Sequence, residues 1–391
     1  MAASRLGLLG RNGRNAFAQN STLTALGTGL YPSLQPAGSA RSALQLPVLV
    51  SVIIPSWNPG PALHAAVRSA LEQTWRELEV IVFDDGSTDG SLDGLVAIED
   101  PRLRIFRGEH AGSGAAKNRG VEESRGTWLK FLDADDLLAP DAIRQHMLAA
   151  ERHGPRVPNF GSLLHFMEGS SPEDGRLQEA RVPAGCSAPM DFLFDSLGAN
   201  GDRHVVSTTQ WFLSRELFED AGGWDNDVLQ MQDVEFSVRM LRLADGIEAC
   251  PGSIACYRRY PTPRSMGHRR NAATLRNRFL TIGSVLDQLR AQGPDPRIDA
   301  VAIWHYRLLL ARSWAVARDV ARDCLAEIEK RGASPVPLPG LDRFDRRWET
   351  LFGWRSMLQT RFVRRRLRHW NPLARRAPHA VSRSVSMAEV S

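Results

Sequence analysis

Val48-Leu49-Val50-Ser51-Val52-Ile53-Ile54-Pro55 is a nearly continuous apolar and β-branched run, the pattern of a strand buried on both faces of a parallel sheet. Pro59, Gly60 and Pro61 follow as a turn. Then come Leu63, Val67, Ala70, Leu71 and Thr74 at helical spacing, and a second buried run at Val80–Phe83. Strand, helix and strand in this order make a βαβ unit. The alternation continues with a polar turn at Asp84–Asp89, a short helix near Ser91–Ile98, a strand near Leu103–Phe106, a helix near Ser113–Glu123 and a strand at Trp128–Leu132. Such alternation predicts an α/β fold, with a mixed, mainly parallel sheet flanked by helices and joined by right-handed crossovers. Ligands of such sheets sit at the carboxyl ends of the strands. The polar clusters Pro55–Asn58, Asp84–Asp89 and Asp133–Asp136 all fall at such ends, so three separate pieces of sequence are expected to meet in one cleft.

Residues 154–205, with scattered Gly and Pro, read as loops, short strands and a helix around Met190–Leu197. Two long helices are expected between Asn271 and Arg331. The first carries Leu275, Phe279, Ile282, Leu286 and Leu289 on one face, and the second runs from about Asp299 to Lys330; Gly293, Pro294 and Pro296 separate them. Ala333–Gly340 reads as a linker before a basic tail.

A chain of 391 residues can hold one large α/β domain and a smaller helical part. No apolar run approaches the roughly 20 residues of a membrane-spanning helix. Charge is unevenly spread. Residues 1–50 hold four Arg and no acid, and residues 355–391 hold nine Arg against Glu389; with the chain at +5, residues 51–354 are left at −7. An acidic body argues against a nucleic-acid groove. Cys186, Cys250, Cys256 and Cys324 lie too far apart for a zinc ribbon or a redox pair and read as buried thiols. That fits a cytoplasmic protein. Residues 1–47 read as a basic leader, which a targeting segment or an over-long start would equally explain.

Leu132-Asp133-Ala134-Asp135-Asp136 follows a buried strand directly. Three carboxylates in four residues repel one another, and chains tolerate such density at a surface turn or around a cation. A hard divalent ion would satisfy both these carboxylates and a substrate diphosphate.

Ser51-Val52-Ile53-Ile54-Pro55-Ser56-Trp57-Asn58, Glu72-Gln73-Thr74, Val82-Phe83-Asp84-Asp85-Gly86-Ser87-Thr88-Asp89, Ala116-Lys117-Asn118-Arg119-Gly120 and Gly126-Thr127-Trp128 leading into Leu132–Asp136 closely resemble, in order and spacing, the family 2 glycosyltransferases of the GT-A fold. The resemblance returns at Ala221-Gly222-Gly223-Trp224-Asp225 and Gln232-Asp233-Val234-Glu235-Phe236. It implies an inverting enzyme that takes a sugar from a nucleotide-diphosphate donor. Asp85 matches the acceptor of the base imide N–H, which suits uracil or thymine. Pro55, Ser56, Trp57 and Asn58 line the nucleoside pocket in this reading, and Lys117 and Asn118 stand where the family shows Arg-Asn. For Lys117 a phosphate contact and an exposed helical lysine are both open. Asp135 matches the metal ligand, for Mg²⁺ or Mn²⁺. Asp133, with Ala134, matches a donor contact, and Asp136 could cap the following helix. Asp233 matches the general base. Glu235 is its neighbour, with an ion pair to Arg239 at i+4 as the alternative. Trp211, Trp224 and Gln232 are candidate acceptor contacts, although core packing would explain either tryptophan equally.

The same resemblance divides the chain into residues 1–47, a GT-A domain at 48–265 with a nucleotide-binding half (48–140) and an acceptor half (141–265), a helical extension at 266–332 and a linker with basic tail at 333–391. Two features depart from the family. Tyr257-Arg258-Arg259-Tyr260 has Tyr260 where many relatives have histidine, and His268 is off register. A Gln-x-x-Arg-Trp motif is absent, so transfer of a single sugar fits better than processive synthesis. The tail from Arg355 to Arg376 carries eight Arg among Met357, Leu358, Phe362, Val363, Leu367 and Trp370, and could rest on an anionic membrane surface near a lipid-linked acceptor. Nucleotidyl transfer is the alternative chemistry, but Pro55–Pro61 lacks its Gly-rich phosphate loop. A non-catalytic nucleotide-sugar binder is the alternative outside enzymology.

Overall fold

The computed structural model describes residues 48–182, 188–199, 206–261, 271–334, 345 and 353–361. The leader, Cys186, His268, most of the 333–340 linker and the tail beyond 361 lie outside the described residues. Two compact units are present, one holding the described residues up to 261 together with 284–298, the other those of 271–283 and from 299 onward.

The first unit is built on one sheet. Its strands are β1 (Val50–Ser56), β2 (Leu78–Asp84), β3 (Leu103–Arg107), β4 (Trp128–Phe131), β5 (Leu137–Leu138), β6 (Asn159–Met167), β7 (Arg176–Gln178), β8 (Trp211–Ser214) and β9 (Glu248–Arg259), in the order β3-β2-β1-β4-β8-β6-β9-β5 with β7 beside β6. The strands β3, β2, β1 and β4 are parallel; β8 joins β4 and β6 antiparallel, and β9 runs parallel to β6. The motif Asp133–Asp136 therefore leaves the sheet where parallel order gives way to antiparallel.

The apolar run that opens the fold is buried as its composition requires, with Val50, Val52, Ile53 and Ile54 fully enclosed. Helix α1 (Ala62–Leu71) adds Leu63, Ala66, Val67 and Ala70 to the core, and α3 (Ala142–His153) adds Ile143 and Met147. Helix α2 (Ser113–Glu122) packs against β1 and β2. At Gly126 the chain passes so close to β1 that a Cβ would stand 2.6 Å from the Ser51 nitrogen and 2.8 Å from the Leu49 oxygen. Only glycine lets β4 start beside β1 there. Cys250, Cys256 and Cys324 are buried free thiols, as expected.

Three expectations are corrected. Ser91–Ile98 is not a helix but a run of turns, with bonds from Asp93 N to Gly90 O, Leu95 N to Leu92 O and Ile98 N to Leu95 O. Gly90, at φ 74°, opens the segment with a turn, and the Asp89 carboxylate holds that turn through Gly60 N and Ser91 N. The stretch 154–205 contains β6, a nine-residue strand, where only short strands were expected. The single helix over 299–330 is two, α8 (Arg297–Ser313) and α9 (Arg318–Glu329), after α7 (Ala272–Arg290). At the break the Ser313 hydroxyl donates back to the Leu309 carbonyl at 2.9 Å, a local bond that competes with the helix ladder. The expected helix near Met190–Leu197 is present as α4 (Pro189–Ser196), and residues 353–361 are helical with Met357 and Leu358 buried.

Lys130, inward on β4, is fully enclosed; its Nζ lies 2.9 Å from His146 Nε2, and His146 Nδ1 lies 2.5 Å from Asn159 Oδ1. Burial pushes the Lys130 amine down to about 7 and holds His146 well below its usual value. The unfolded chain keeps the lysine proton to about 10.5 and the folded chain releases it near 7, so stability should rise with pH across that window. Thermal melts between pH 6 and 10 should show this rise, with a slope of at most about 1.4 kcal/mol per pH unit. In Lys130→Met the rise should flatten, and an unchanged slope would refute the assignment.

Candidate active site

Asp133 and Asp135 stand half-buried just beyond β4. Asp233 is the second residue of α6 (Gln232–Leu241), and the Thr208 hydroxyl donates to its Oδ1. About 100 residues of chain separate these carboxylates, yet they share one field. Burial pushes the Asp133 carboxyl up to about 6, Lys117 pulls it down, and Asp135 and Asp233 push it further up. Asp136 is fully buried. Burial, then Asp133 and Asp135, raise it well above the usual carboxylate range. Its oxygens accept from Arg258 N at 2.9 Å and from the Thr209 hydroxyl at 3.2 Å. The helix-cap reading of Asp136 is thus corrected: β5 follows it, α3 begins at Ala142, and Asp136 instead ties its loop to β9 and to the turn Thr208–Gln210.

Lys117 and Asn118, both on α2, serve different ends. Lys117 is 3% exposed, so it is not a solvated helical lysine; its Nζ lies 4.2 Å over the Trp224 ring, on the Asp133 side of the cleft. Asn118 grips the loop before α6, accepting from Trp224 N and donating to Trp224 O, each at 2.8 Å, and to Asn226 Oδ1 at 3.2 Å. Gly223, at φ 65°, makes that grip possible, because a Cβ there would stand 2.8 Å from Asn118 Oδ1.

The tryptophans do not form an open acceptor wall. Trp211 is 1% exposed and donates to Ser237 Oγ at 3.1 Å. Trp224 is 3% exposed and stacks on Phe236 at 4.3 Å. Both are core residues: Trp211, on β8, packs against Phe160 and α6, and the loop carrying Trp224 is drawn onto α6. Gln232 remains half-exposed, its amide donating to Val228 O at 2.7 Å. Glu235 is buried and forked onto Arg239, with both contacts at 2.7 Å, so the ion-pair reading describes it. Arg239 also reaches the carbonyls of Ala221 and Gly223. Met231, immediately before α6, adopts left-handed backbone (φ 65°) without being glycine, a local strain at the entry to the helix of Asp233.

At the carboxyl end of β2 Asp84 is enclosed and accepts from Ser87 N at 3.1 Å, the expected Asx turn. Asp85 accepts from Ala111 N at 2.7 Å and Gly112 N at 2.9 Å, with His110 Nδ1 at 2.8 Å. Three partners fix this carboxylate, and its remaining lone pairs keep acceptor capacity. The exposed Trp57 stacks on His110 at 4.6 Å. Asn58 brackets the Ser87-Thr88 turn, while the buried Ser56 hydroxyl has no partner among the described residues. Pro55 and Ala134 lie along the same strand ends.

Among the described residues no three His, Cys, Asp or Glu side chains form a group that could hold a metal ion. Mg²⁺ ordinarily takes one or two carboxylates and completes its shell with substrate phosphates and water. Asp135 fits that partial role. Tyr260 hydrogen-bonds to Asp135, and burial with the Asp135 charge raises its phenol pKa. The family's histidine position therefore still meets the motif. Sequence reasoning missed Thr208, Thr209 and Arg258, whose contacts hold Asp233, Asp136 and the Asp135 carbonyl. No spacing signal marks the two threonines.

Truncating Glu235→Ala leaves Arg239 without its carboxylate, which should cost about 3 kcal/mol. Urea unfolding should show that loss, and a loss under about 0.5 kcal/mol, the ordinary surface range, would deny the pair its structural role.

The glycosyl transferase family 2 model matches residues 51–222. The glycosyltransferase EpsJ of Bacillus subtilis is 26% identical over 216 residues, covering 54% of this chain and 62% of that protein. The succinoglycan biosynthesis protein ExoO of Rhizobium meliloti is 34% identical over 142 residues, 34% of this chain and 41% of that one. The chain thus spans less than two thirds of the length of these relatives. The crystal structure of S. aureus TarS 1–349 superposes with a TM-score of 0.53 at 14% identity, over 80% of this chain and 90% of that one. The fold is GT-A, as in TarS, and residues 51–222 match the glycosyl transferase family 2 model.

Proposed function

We propose that this chain is an inverting, non-processive glycosyltransferase that moves one sugar from a nucleotide-diphosphate donor, uridine or thymidine favoured, to an acceptor hydroxyl in cell-surface glycan or glycolipid synthesis. The observation that carries this reading is the meeting of Asp133 and Asp135 with Asp233 in one electrostatic field, beside the buried cation of Lys117. ExoO's printed role in succinoglycan biosynthesis and the solved TarS complex with UDP-GlcNAc agree with it.

Inversion is a single in-line displacement that needs one carboxylate to take the acceptor's proton as its oxygen attacks the anomeric carbon. Asp233 supplies it. The Thr208 hydroxyl occupies one of its oxygens, and the other serves as the base. Lys117 stabilises the diphosphate as the sugar leaves, and Asp85, fixed by three donors, takes the imide N–H of the base. A divalent ion at Asp135, when bound, would neutralise charge building on the leaving nucleoside diphosphate. Among the described residues no helix is long and apolar enough to cross a membrane; a basic tail resting on anionic lipid remains part of the proposal.

A thermal-shift screen of UDP-, dTDP- and GDP-sugars with and without Mn²⁺ ranks the donors, since stabilisation follows affinity. Asp233→Asn should keep donor binding and lose about 10³-fold or more in transfer; residual transfer near the parent rate would displace Asp233 as base. Because Asp133 takes up a proton near pH 6, Mn²⁺-dependent donor affinity should fall as pH drops from 7 to 5. Titration calorimetry at three pH values checks this, and an affinity that holds steady would refute it.

A further inference from the structure

A second charged cluster lies on one face of β6, β7 and β9. The strand registers set His165 opposite Arg176 on one side and Tyr257 on the other, and Met167 opposite Arg259, so all five share a face. Arg259 Nε donates to His165 Nδ1 at 3.2 Å, and Gln178 Oε1 stands 3.1 Å from Nε2. These partners fix the imidazole as the neutral tautomer with its proton on Nε2. Burial lowers the pKa of His165, and the Arg259 and Arg176 charges add to that shift against Gln178. The ring therefore acts as an acceptor that holds Arg259 in place.

Both guanidinium groups are exposed, and among the described residues neither has a carboxylate within ion-pair distance. Arg176 and Arg259 stand on either side of one imidazole with no ion-pair partner among the described residues, although Glu168, Glu173, Asp174 and Glu179 lie on the same β6–β7 hairpin. The cluster also borders the proposed reaction centre. Tyr257 meets His165 edge-on at 5.6 Å, and burial together with Asp136, Asp133 and Asp135 pushes its phenol up to about 12. One tyrosine therefore separates the arginines from the acidic loop.

We propose that Arg259, held by His165 and Gln178, and Arg176, opposite His165 on β7, form a subsite for a phosphate group carried by the acceptor, an inference that rests on the glycosyl-transfer reading of the neighbouring cleft. Two guanidinium forks from strands on either side of β6 offer more donors than the two oxygens of a carboxylate can use; a phosphate can accept from both. Exposure keeps the binding modest and salt-dependent.

The test is titration calorimetry on the full chain with Mg²⁺ and excess UDP to occupy the donor site, using inorganic phosphate and glycerol 3-phosphate as probes, and glycerol as the neutral control. Phosphatidylglycerol vesicles, set against phosphatidylcholine, form a second arm. Both small phosphates should bind and glycerol should not. In Arg176→Gln/Arg259→Gln the affinity should fall by about five-fold or more, and Arg176→Lys/Arg259→Lys should recover part of it. UDP affinity should match the parent in both variants, which also reports that they are folded. Loss of vesicle binding in the glutamine variant assigns the phosphate to a lipid carrier, and an effect confined to the small phosphates assigns it to a soluble or polymeric one. Equal affinity in parent and glutamine variant, or no binding of either small phosphate by the parent, overturns the proposal. Failure of UDP to bind while the arginine-dependent phosphate binding persists would overturn the donor reading and leave the subsite standing.

Discussion

Four carboxylates, Asp133, Asp135, Asp136 and Asp233, crowd one end of the sheet, and their mutual repulsion is the constraint around which the first unit is arranged. Like charges at such spacing drive proton uptake unless cations or hydrogen-bond donors oppose them. Several donors are present. Lys117 stands buried beside Asp133, the hydroxyls of Thr208 and Thr209 face Asp233 and Asp136, and β9 offers the Arg258 backbone N–H to Asp136. The balance is incomplete, since the Asp133 carboxyl is still pushed up to about 6. A site left short of positive charge is one suited to a divalent ion and a substrate that share it.

The fold was legible in the sequence wherever burial imposed a pattern. Val50–Ile54 had to be a doubly covered strand, and the strands and helices through Trp128, apart from the segment 91–98, followed with small errors at their ends. Legibility failed where local bonding decides the outcome. The turns at 91–98 are held by Asp89 reaching back to Gly60, and the break after α8 is closed by local bonds around Ser313. Neither leaves a periodic trace.

The same division runs through the site. Asp133, Asp135 and Asp233 could be named because their spacing follows a motif. Trp211 and Trp224 could not be sorted from sequence, because an aromatic residue reads alike in a wall and in a core. Asn118 shows the limit most clearly. Beside Lys117 it reads as a donor contact, yet both ends of its amide are spent on the loop at Trp224–Asn226.

That grip ties together parts of the chain that the sequence keeps far apart. Asn118 sits on α2, which also packs on β1 and β2; the loop it holds is stacked on Phe236 and hooked by Arg239, both on the helix that begins beside Asp233. A rotation of α2 would therefore carry the loop with it and tilt α6. Evolutionary change at one end of this linkage is then answerable to the other: a substitution that moves α2 against β1 and β2 also shifts the Trp224–Asn226 loop and the start of α6 at Asp233, so the two ends would drift as a pair.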